Sequence, residues 1–293
     1  MTARATFITA LPEPDLLAEE LAAALPRFKQ IQWVDRTDST NADLLHMART
    51  DSGPVARPWL LGAHLQERGR GRAGRRWQNR PGANLMFSCA FDVFLPPRQL
   101  AALSPLAGLA ACEALRSLLA PGNRGDIVMK WPNDVQWRNA KLAGILVEAT
   151  RAGIARSAAD HYVIIIGMGL NLDDARSLSQ SLNRQVSDWA EVASHDAQAA
   201  TAGAATLVSR VAQAWYDSLN EVTAFGFDSV PARYAQADAL LGQHVHVLDD
   251  GRILHAGIAC GINHDGQLLL RTPDGEIAVS IGEVSVRPVR EHP

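Results

Sequence analysis

The sequence contains little cysteine and no long hydrophobic run. Its three cysteines, Cys89, Cys112 and Cys260, are far apart and odd in number, which excludes a disulfide framework and a cysteine-based zinc site. The most apolar run, 163–170, is far shorter than the roughly 18 residues of a membrane-spanning helix. The first residues show no basic stretch followed by an apolar segment. We therefore expect a cytoplasmic protein without a membrane partner.

The sequence also lacks an excess of positive charge and is poor in lysine. The net charge is −3, from 28 basic and 31 acidic residues, so no overall basic field favours nucleic acid. Only Lys29, Lys130 and Lys141 are lysines. Where such a chain retains a lysine, a compact ammonium group is favoured over a planar guanidinium. Two of the three lie in the motifs described below.

The length of 293 residues predicts about two domains. The texture of the sequence divides it into an N-terminal extension with one short helix (1–32), a region of mixed strands and helices (33–238) and a β-rich tail (239–293). Three Asp-Gly pairs in the tail, at 250–251, 265–266 and 274–275, are strong hairpin signals. They predict a small barrel.

A polar tetrapeptide opens a predicted helix over 39–49. Ser39, Thr40 and Asn41 are preferred at helix N-termini. With the free N–H groups of the first turn they can form a neutral polar socket. Plain helix capping is the alternative interpretation.

An arginine-rich loop, GRGRAGRRW at 69–77, lies between strands predicted at 59–66 and 84–93. It holds four arginines and three glycines in nine residues. Guanidinium groups bind phosphate or carboxylate through two parallel hydrogen bonds, and glycine lets the backbone approach a ligand. The loop lacks the Gly-Lys-Ser/Thr ending of a Walker motif. It predicts an anion-binding loop, with a solvated basic loop or an RNA-binding patch as alternatives.

Two neighbouring motifs carry the remaining lysines. KWPND at 130–134 and KLAGILVE at 141–148 predict a strand, a turn and further strands that bring Lys130, Asp134 and Lys141 to one end of a hairpin. Two ammonium groups and a carboxylate can neutralise a triphosphate and hold a magnesium ion. Solvated strand ends are the alternative.

In their order and spacing these segments strongly resemble the biotin protein ligases. The resemblance rests on DSTN, Gln66, GRGRAGRRW, GANL, KWPND, KLAGILVE, GMGLN and the closing GEVSVRPV, and it covers about residues 33–290. It implies an α+β fold: a mixed β-sheet flanked by helices, as in class II aminoacyl-tRNA synthetases and lipoyl ligases, with a small C-terminal Src-homology-3-like β-barrel. About 30 residues precede the matching region, which predicts a form without an N-terminal DNA-binding domain.

The resemblance assigns roles to individual positions. Residues assigned to biotin are Ser39, Thr40, Asn41, Gln66, Arg70, Gly71, Arg72 and Lys141. Residues assigned to the nucleotide are Arg72, Arg75, Trp77, Asn84, Lys130, Asn133 and Asn171. Lys141 and Arg70 would supply catalytic charge, Asp134 could help to deprotonate the acceptor lysine, and Mg²⁺ would be held largely by the ATP phosphates.

The implied activity is that of an ATP-dependent biotin–[acetyl-CoA-carboxylase] ligase. Biotin and ATP give biotinyl-5′-AMP and pyrophosphate, and biotin then passes to a lysine of the biotin carboxyl carrier protein of a carboxylase. No operator DNA is expected as a partner, and the sequence leaves open whether the chain forms a homodimer. The alternatives are a lipoate or octanoate ligase of the same fold, and a nucleic-acid-binding regulatory protein. The stretch 173–205 matches no motif.

Overall fold

The computed structural model describes residues 11–50, 56–151, 160–280 and 285–288. The first ten residues of the predicted extension, and all of GEVSVRPV except 285–288, lie outside the described residues. The described helices are α1 (Pro14–Ala24), α2 (Thr40–Thr50), α3 (Leu103–Arg116), α4 (Ala175–Leu182), α5 (Trp189–His195), α6 (Ala204–Phe225) and α7 (Val230–Ala235). None of these helices is long and apolar enough to cross a membrane.

The described strands form two sheets. They are β1 (Gln30–Thr37), β2 (Trp59–Gln66), β3 (Asn84–Phe94), β4 (Ile127–Lys130), β5 (Asp134–Trp137), β6 (Ala140–Arg151), β7 (His161–Asn171), β8 (His244–Asp249), β9 (Arg252–Ile262), β10 (Leu268–Thr272), β11 (Gly275–Val279) and β12 (Ser285–Pro288). The first sheet has the order β1-β2-β3-β7-β6-β5-β4. Because β1 is parallel to β2 while the other pairs are antiparallel, the expected mixed sheet is confirmed.

Helices cover both faces of the seven-stranded sheet. Side chains alternate along β3, so Phe87 and Ser88 point to opposite faces. Phe87 packs against Trp215 of α6, with ring centroids 5.4 Å apart, and the Trp215 indole N–H donates to Ala107 O of α3 at 2.9 Å. Ser88 lies on the other face, which α2 covers. That second face carries the polar residues of the candidate site.

Helix α1 packs into the core of the same sheet. Leu17, Leu21 and Leu25 are buried and belong to the hydrophobic cluster that contains α3, α6 and the inner face of β3. The short helix predicted in 1–32 is therefore present. The division of the chain at residue 33 remains a proposal about domain boundaries.

The tail folds as the expected small β-rich unit. Its five antiparallel strands have the order β11-β10-β9-β8-β12, and Gly251, Gly266 and Gly275 have positive φ angles. The turn at Gly266 docks on the turn between β4 and β5, where its carbonyl accepts a hydrogen bond from Trp131 Nε1 at 2.9 Å. A Cβ at position 266 would lie 2.7 Å from Ala102 Cα, so only glycine permits this close approach.

The stretch 173–205 is largely helical. Asp188 caps α5 by accepting a hydrogen bond from Glu191 N at 2.8 Å. Asp196 follows α5 and accepts hydrogen bonds from three backbone N–H groups and one side-chain amide, those of Ala120, Gln198, Ala199 and Asn123. Carboxylates thus satisfy the free N–H groups at these turns.

Asp238 lies at the junction between the two sheets. Its neighbours Ala237 and Ala239 exchange backbone hydrogen bonds with Met129 of β4, at 2.7 and 2.9 Å. Asp238 Oδ1 accepts from Leu240 N at 2.8 Å, whereas Oδ2 is buried without a hydrogen-bond partner among the described residues. Burial raises the pKa of Asp238 to about 6, against the lowering effect of the backbone hydrogen bonds.

We predict that Asp238→Asn stabilises the protein above pH 6. The folded pKa exceeds the unfolded value of about 3.9, so wild type loses stability as pH rises through the interval from about 4 to 6. The asparagine keeps an acceptor for Leu240 and carries no charge. The free energy of unfolding at pH 8 should rise by up to about 3 kcal/mol, with no gain below pH 4.

Urea denaturation at pH 8 and below pH 4 measures the free energy of unfolding of the variant and of wild type. The exposed control Asp228→Asn should change it by less than about 0.5 kcal/mol, and a pH-independent Asp238→Asn effect would contradict the prediction.

Candidate active site

The predicted polar socket assembles at the N-terminus of α2. Thr40 N donates to Gln66 Oε1 at 2.8 Å, and Thr40 Oγ1 lies 2.7 Å from Ser88 Oγ. Ser88 Oγ donates to Asn41 Oδ1 at 2.6 Å. Ser39 Oγ accepts from the backbone N–H of Ala42 at 3.4 Å. Ser39, Thr40 and Asn41 are all at least 96% buried, so the structure brings these predicted residues together with Gln66 in a neutral, largely enclosed site.

The arginine-rich loop forms a hairpin beside this socket. Gly71 N donates to Arg75 O at 2.7 Å, and Trp77 N donates to Gly69 O at 2.8 Å. Its tip turns through left-handed residues, with φ of 53° at Ala73 and 65° at Gly74. We call residues 69–77 the arginine hairpin.

Trp77 fixes the base of the arginine hairpin on the sheet. Its indole lies against Gly169 of β7, where a Cβ would overlap the ring, and 3.2 Å from the position of a Cβ at Gly144 of β6. Gly144 and Gly169 are opposite each other in the β6–β7 pairing. The Lys141 ammonium group lies 5.5 Å from the indole centroid, within the range of a cation–π interaction.

Cationic groups gather around Asp134. Lys141 Nζ donates to Asp134 Oδ1 at 2.5 Å, and Lys130 is opposite Asp134 in the β4–β5 pairing. Arg72 Nη1 donates to Asn133 Oδ1 at 3.4 Å, which links the arginine hairpin to the KWPND turn. Three of the predicted cations thus surround one carboxylate.

The charges in this cluster affect one another. Burial lowers the pKa of Lys130, Asp134 raises it, and the positive charges of Lys141, Arg287 and Arg184 lower it further. Burial also lowers the pKa of Arg72, again with Asp134 acting in the opposite direction. An excess of partly buried positive charge favours binding of an anion.

Other predicted residues lie at the margin of the cluster. Arg70 and Arg75 are exposed on the arginine hairpin. Asn84 Nδ2 donates to Asn171 Oδ1 at 3.1 Å, and Asn171 Nδ2 donates to Ser187 O at 3.0 Å. Both asparagines are nearly fully buried, and the amide of Asn84 is occupied by its contacts with the protein.

Residues from the unassigned stretch line the cavity next to Lys141. Lys141 N donates to Gln185 O, and Ser187 N donates to Lys141 O, so residues 185–187 run alongside the start of β6. The cavity is lined by Arg76, Trp77, Gln78, Lys141, Asn171, Leu178, Leu182, Arg184 and Val186. Sequence reasoning missed the last four because this stretch carries no motif. The recurrence of apolar residues at 178, 182 and 186 was its only signal.

Two further polar residues were missed on the inner strands. Ser88 interrupts an apolar strand, and Glu148 ends the KLAGILVE motif, where it accepts a hydrogen bond from Asn41 Nδ2 at 2.8 Å. Gln66 is held by Asn79, which exchanges hydrogen bonds with its backbone at 2.9 and 3.1 Å. Among the described residues, no group of three or more His, Cys, Asp or Glu could hold a metal ion.

Comparison with known proteins gives a consistent result. Residues 33–171 match the Biotin/lipoate A/B protein ligase family, and residues 240–287 match the Biotin protein ligase C terminal domain. A biotin–[acetyl-CoA-carboxylase] ligase from Mycobacterium tuberculosis is 31% identical over 271 residues, which are 92% of this chain and 93% of the relative.

Two other similar proteins extend the comparison. The bifunctional ligase/repressor BirA of Escherichia coli is 32% identical over 253 residues, covering 85% of this chain and 72% of that protein. The solved structure of a biotin protein ligase from Aquifex aeolicus in complex with biotin and ATP superposes with a TM-score of 0.69 and 26% identity. It covers 89% of this chain and 100% of the other.

We predict that Gly169→Ala releases the arginine hairpin. The added methyl group overlaps the Trp77 indole, so Trp77 can no longer pack against β7 and hold the hairpin there. Trypsin, which cleaves after arginine, should cut within 69–77 several-fold faster. The matched control Gly203→Ala adds a methyl group that meets nothing within 4 Å and should leave the cleavage rate unchanged. Equal cleavage rates in Gly169→Ala and wild type would refute this role of the glycine.

Proposed function

The chain belongs to the biotin protein ligase family, and we propose that the site activates biotin with ATP and transfers it to a protein lysine. The observation that carries this proposal is the position of Lys141. Its ammonium group pairs with Asp134 and lies over the Trp77 ring, on the same sheet face as the neutral socket of Thr40, Asn41 and Gln66.

The two halves of the site fit the two ends of biotin. Gly167 of β7 lies beneath Asn41 of the socket and Gly169 lies beneath Trp77. Two residues along a strand share a face and are about 7 Å apart. The uncharged ureido head would occupy the socket, and the valerate carboxylate would extend along β7 toward Lys141.

Activation joins two anions, so charge and positioning provide the catalysis. A carboxylate oxygen of biotin attacks the α-phosphorus of ATP, the bond from that phosphorus to the bridging oxygen breaks, and pyrophosphate leaves. Lys141 would hold the carboxylate and the α-phosphate together, with Arg70 and Arg72 adding charge from the arginine hairpin. Lys130 and Asn133 would face the leaving phosphates. No protein nucleophile is required.

Magnesium fits this site only through the nucleotide. Asp134 is a single carboxylate among several cations, so the protein itself offers few oxygen ligands, whereas Mg²⁺ is commonly held by one or two carboxylates together with phosphates. When bound to the phosphates it would neutralise charge on the leaving pyrophosphate.

The arginine hairpin would protect the product. Biotinyl-5′-AMP is a mixed anhydride that water hydrolyses, so a closed site that excludes water serves the chemistry. In the second step the amine of an acceptor lysine attacks the acyl carbon and AMP leaves. Asp134, which pairs with Lys141, would accept the proton of this amine once Lys141 turns to the phosphate.

The acceptor we propose is the biotin carboxyl carrier protein of acetyl-CoA carboxylase, as the names of the relatives imply. The match of 240–287 to the C-terminal domain of biotin protein ligases favours biotin over lipoate or octanoate. The arginines of the arginine hairpin lie beside the proposed site for biotin and ATP, which disfavours a nucleic-acid-binding role and operator DNA as a partner.

We also propose a cytoplasmic location, because Cys89, Cys112 and Cys260 are free thiols and the reaction consumes ATP. Domain boundaries at 33–238 and 239–293 are part of this proposal.

We predict that Lys141→Ala abolishes adenylate formation. The variant loses the ammonium group proposed to join the two anions, and biotin-dependent ATP–pyrophosphate exchange should fall by at least about 10²-fold. Lys29→Ala is the matched control and should exchange at the wild-type rate. Exchange near the wild-type rate in Lys141→Ala would exclude the proposed role.

We predict that Arg72→Gly lets the adenylate escape. The variant breaks the link from the arginine hairpin to Asn133, so the hairpin no longer closes over the intermediate. Released biotinyl-5′-AMP should label lysines of an added bystander protein, measured by avidin blotting. Arg98→Gly, at an exposed position outside the site, should label only the acceptor. Labelling confined to the acceptor in Arg72→Gly would show that the hairpin is not a barrier.

A further inference from the structure

Glu148 terminates a chain of hydrogen bonds that joins residues of β6, β3 and β2 through the start of α2. Asn41 Nδ2 donates to Glu148 Oε2 at 2.8 Å, Ser88 Oγ donates to Asn41 Oδ1 at 2.6 Å, and Ser88 Oγ lies 2.7 Å from Thr40 Oγ1. Thr40 N donates to Gln66 Oε1. Ser88 is fully buried, and Thr40 and Asn41 are nearly so, so water does not compete for the two contacts of Ser88, whereas the contacts to Glu148 and Gln66 are partly buried. We call this chain the polar relay.

Each hydrogen bond of the polar relay has a defined donor and acceptor, and Glu148 determines which group plays which role. A glutamate carboxylate at neutral pH accepts hydrogen bonds and donates none. Asn41 must therefore present its NH₂ group to Glu148. A weaker contact of the same NH₂ group with Leu146 O, at 3.4 Å, agrees with this orientation. The amide oxygen of Asn41 then faces Ser88.

The orientation of the Asn41 amide in turn determines which of the Ser88 and Thr40 hydroxyl groups donates to the other. Ser88 has one proton and donates it to Asn41, so its contact with Thr40 requires Thr40 to donate. The 2.7 Å contact with Ser88 is far shorter than the 3.3 Å separation of Thr40 Oγ1 from Gln66 Oε1, so the Thr40 proton points to Ser88. Thr40 Oγ1 is left as an acceptor for a ligand.

Gln66 offers a ligand a hydrogen-bond donor, whereas Thr40 offers an acceptor. Its Oε1 accepts from the backbone N–H of Thr40, which directs its NH₂ group away from the helix. The socket thus offers an acceptor at Thr40 and a donor at Gln66. A cyclic urea, with N–H donors on either side of a carbonyl acceptor, is complementary to this pair.

We propose that Glu148 is a positioning residue for biotin recognition, because it fixes the polarity of the polar relay and so makes Thr40 an acceptor for a ureido N–H. This proposal rests on the proposed function. Glu148 touches the head group only through Asn41, Ser88 and Thr40. Its effect is therefore on binding of the ureido ring, at the opposite end of the substrate from the reacting carboxylate.

The first test compares Glu148→Leu with Glu148→Gln in the full chain. Leucine removes the acceptor and leaves the orientation of the Asn41 amide nearly free, so biotin should bind about tenfold more weakly by calorimetry. The KM for biotin should rise in the same proportion, with kcat and the KM for ATP unchanged, as for loss of uniform binding. Glutamine retains an acceptor oxygen and should bind biotin within about threefold of wild type.

The second test measures the polarity directly. In two cyclic carbamate analogues of biotin, one or the other ureido N–H is replaced by oxygen. The analogue that loses the N–H facing Thr40 should bind wild type at least tenfold more weakly than biotin does. In Glu148→Leu that ratio should fall toward one, because Thr40 can then donate to the ring oxygen. A purely structural role would weaken both ligands equally.

Ser88→Ala interrupts the polar relay at a different residue and keeps the test usable if Glu148→Leu fails to fold. In Ser88→Ala the affinities for biotin and for the carbamate analogue that loses the N–H facing Thr40 should also become equal. Adding Glu148→Leu to this variant should not change that ratio further. The control Glu221→Leu, on α6, should bind biotin as wild type does. An unchanged analogue ratio, or a Glu148→Gln variant as weak as Glu148→Leu, would overturn the proposal. Absence of biotin binding by wild type would instead refute the proposed function.

Discussion

The site depends on the pairing of β6 with β7, because that pairing places three glycines on one sheet face. Gly144 is opposite Gly169, and Gly167 lies two residues along β7. A Cβ at any of these positions would meet a side chain of the site: Lys141 and Trp77 at 144, Trp77 at 169, and Asn41 at 167. The strands therefore provide a floor of bare backbone. Glycine weakens a strand interior, and buried Ile164 and Ile166 on the opposite face of β7 offset that loss by packing.

This floor separates a half whose side chains next to Gly167 are uncharged, with the Glu148 carboxylate behind Asn41, from a half that carries cationic groups; we call the first the neutral half. At Gly167 the neighbours are hydroxyl and amide groups whose hydrogen bonds are made within the protein. At Gly144 and Gly169 they are an ammonium group and an aromatic ring. Burying an unpaired charge in the neutral half would cost several kcal/mol, so the site distinguishes the two ends of a substrate that is neutral at one end and anionic at the other. The orientation of biotin we propose follows from this separation.

Much of the fold was predictable from local signals. Alternation identified β3, capping residues placed the start of α2, and Asp-Gly pairs placed turns in the tail. The site was predictable only where residues cluster in the sequence, as in KWPND. Ser88 and Glu148 were missed because a single polar residue in a strand gives no sign of its partner on another strand. Arg70 was predicted among the catalytic groups, but in the structure its side chain is exposed on the arginine hairpin. The position of this side chain depends on the left-handed turn of the hairpin, which the composition of the loop does not determine.

The position of the cations depends on contacts from both sheets. Asn133 is tied to β6, since its Nδ2 donates to Ile145 O at 2.7 Å, while the adjacent Trp131 donates to Gly266 of the C-terminal sheet. Met129 bonds the segment that connects the two sheets. The KWPND turn is thus held from three directions, and a shift of the C-terminal sheet would move Lys130 relative to Lys141. Because coulombic energy between charges varies inversely with distance, such a shift would alter the electric field where we propose that the phosphates bind. The C-terminal sheet therefore helps to position the cations of the phosphate site that we propose.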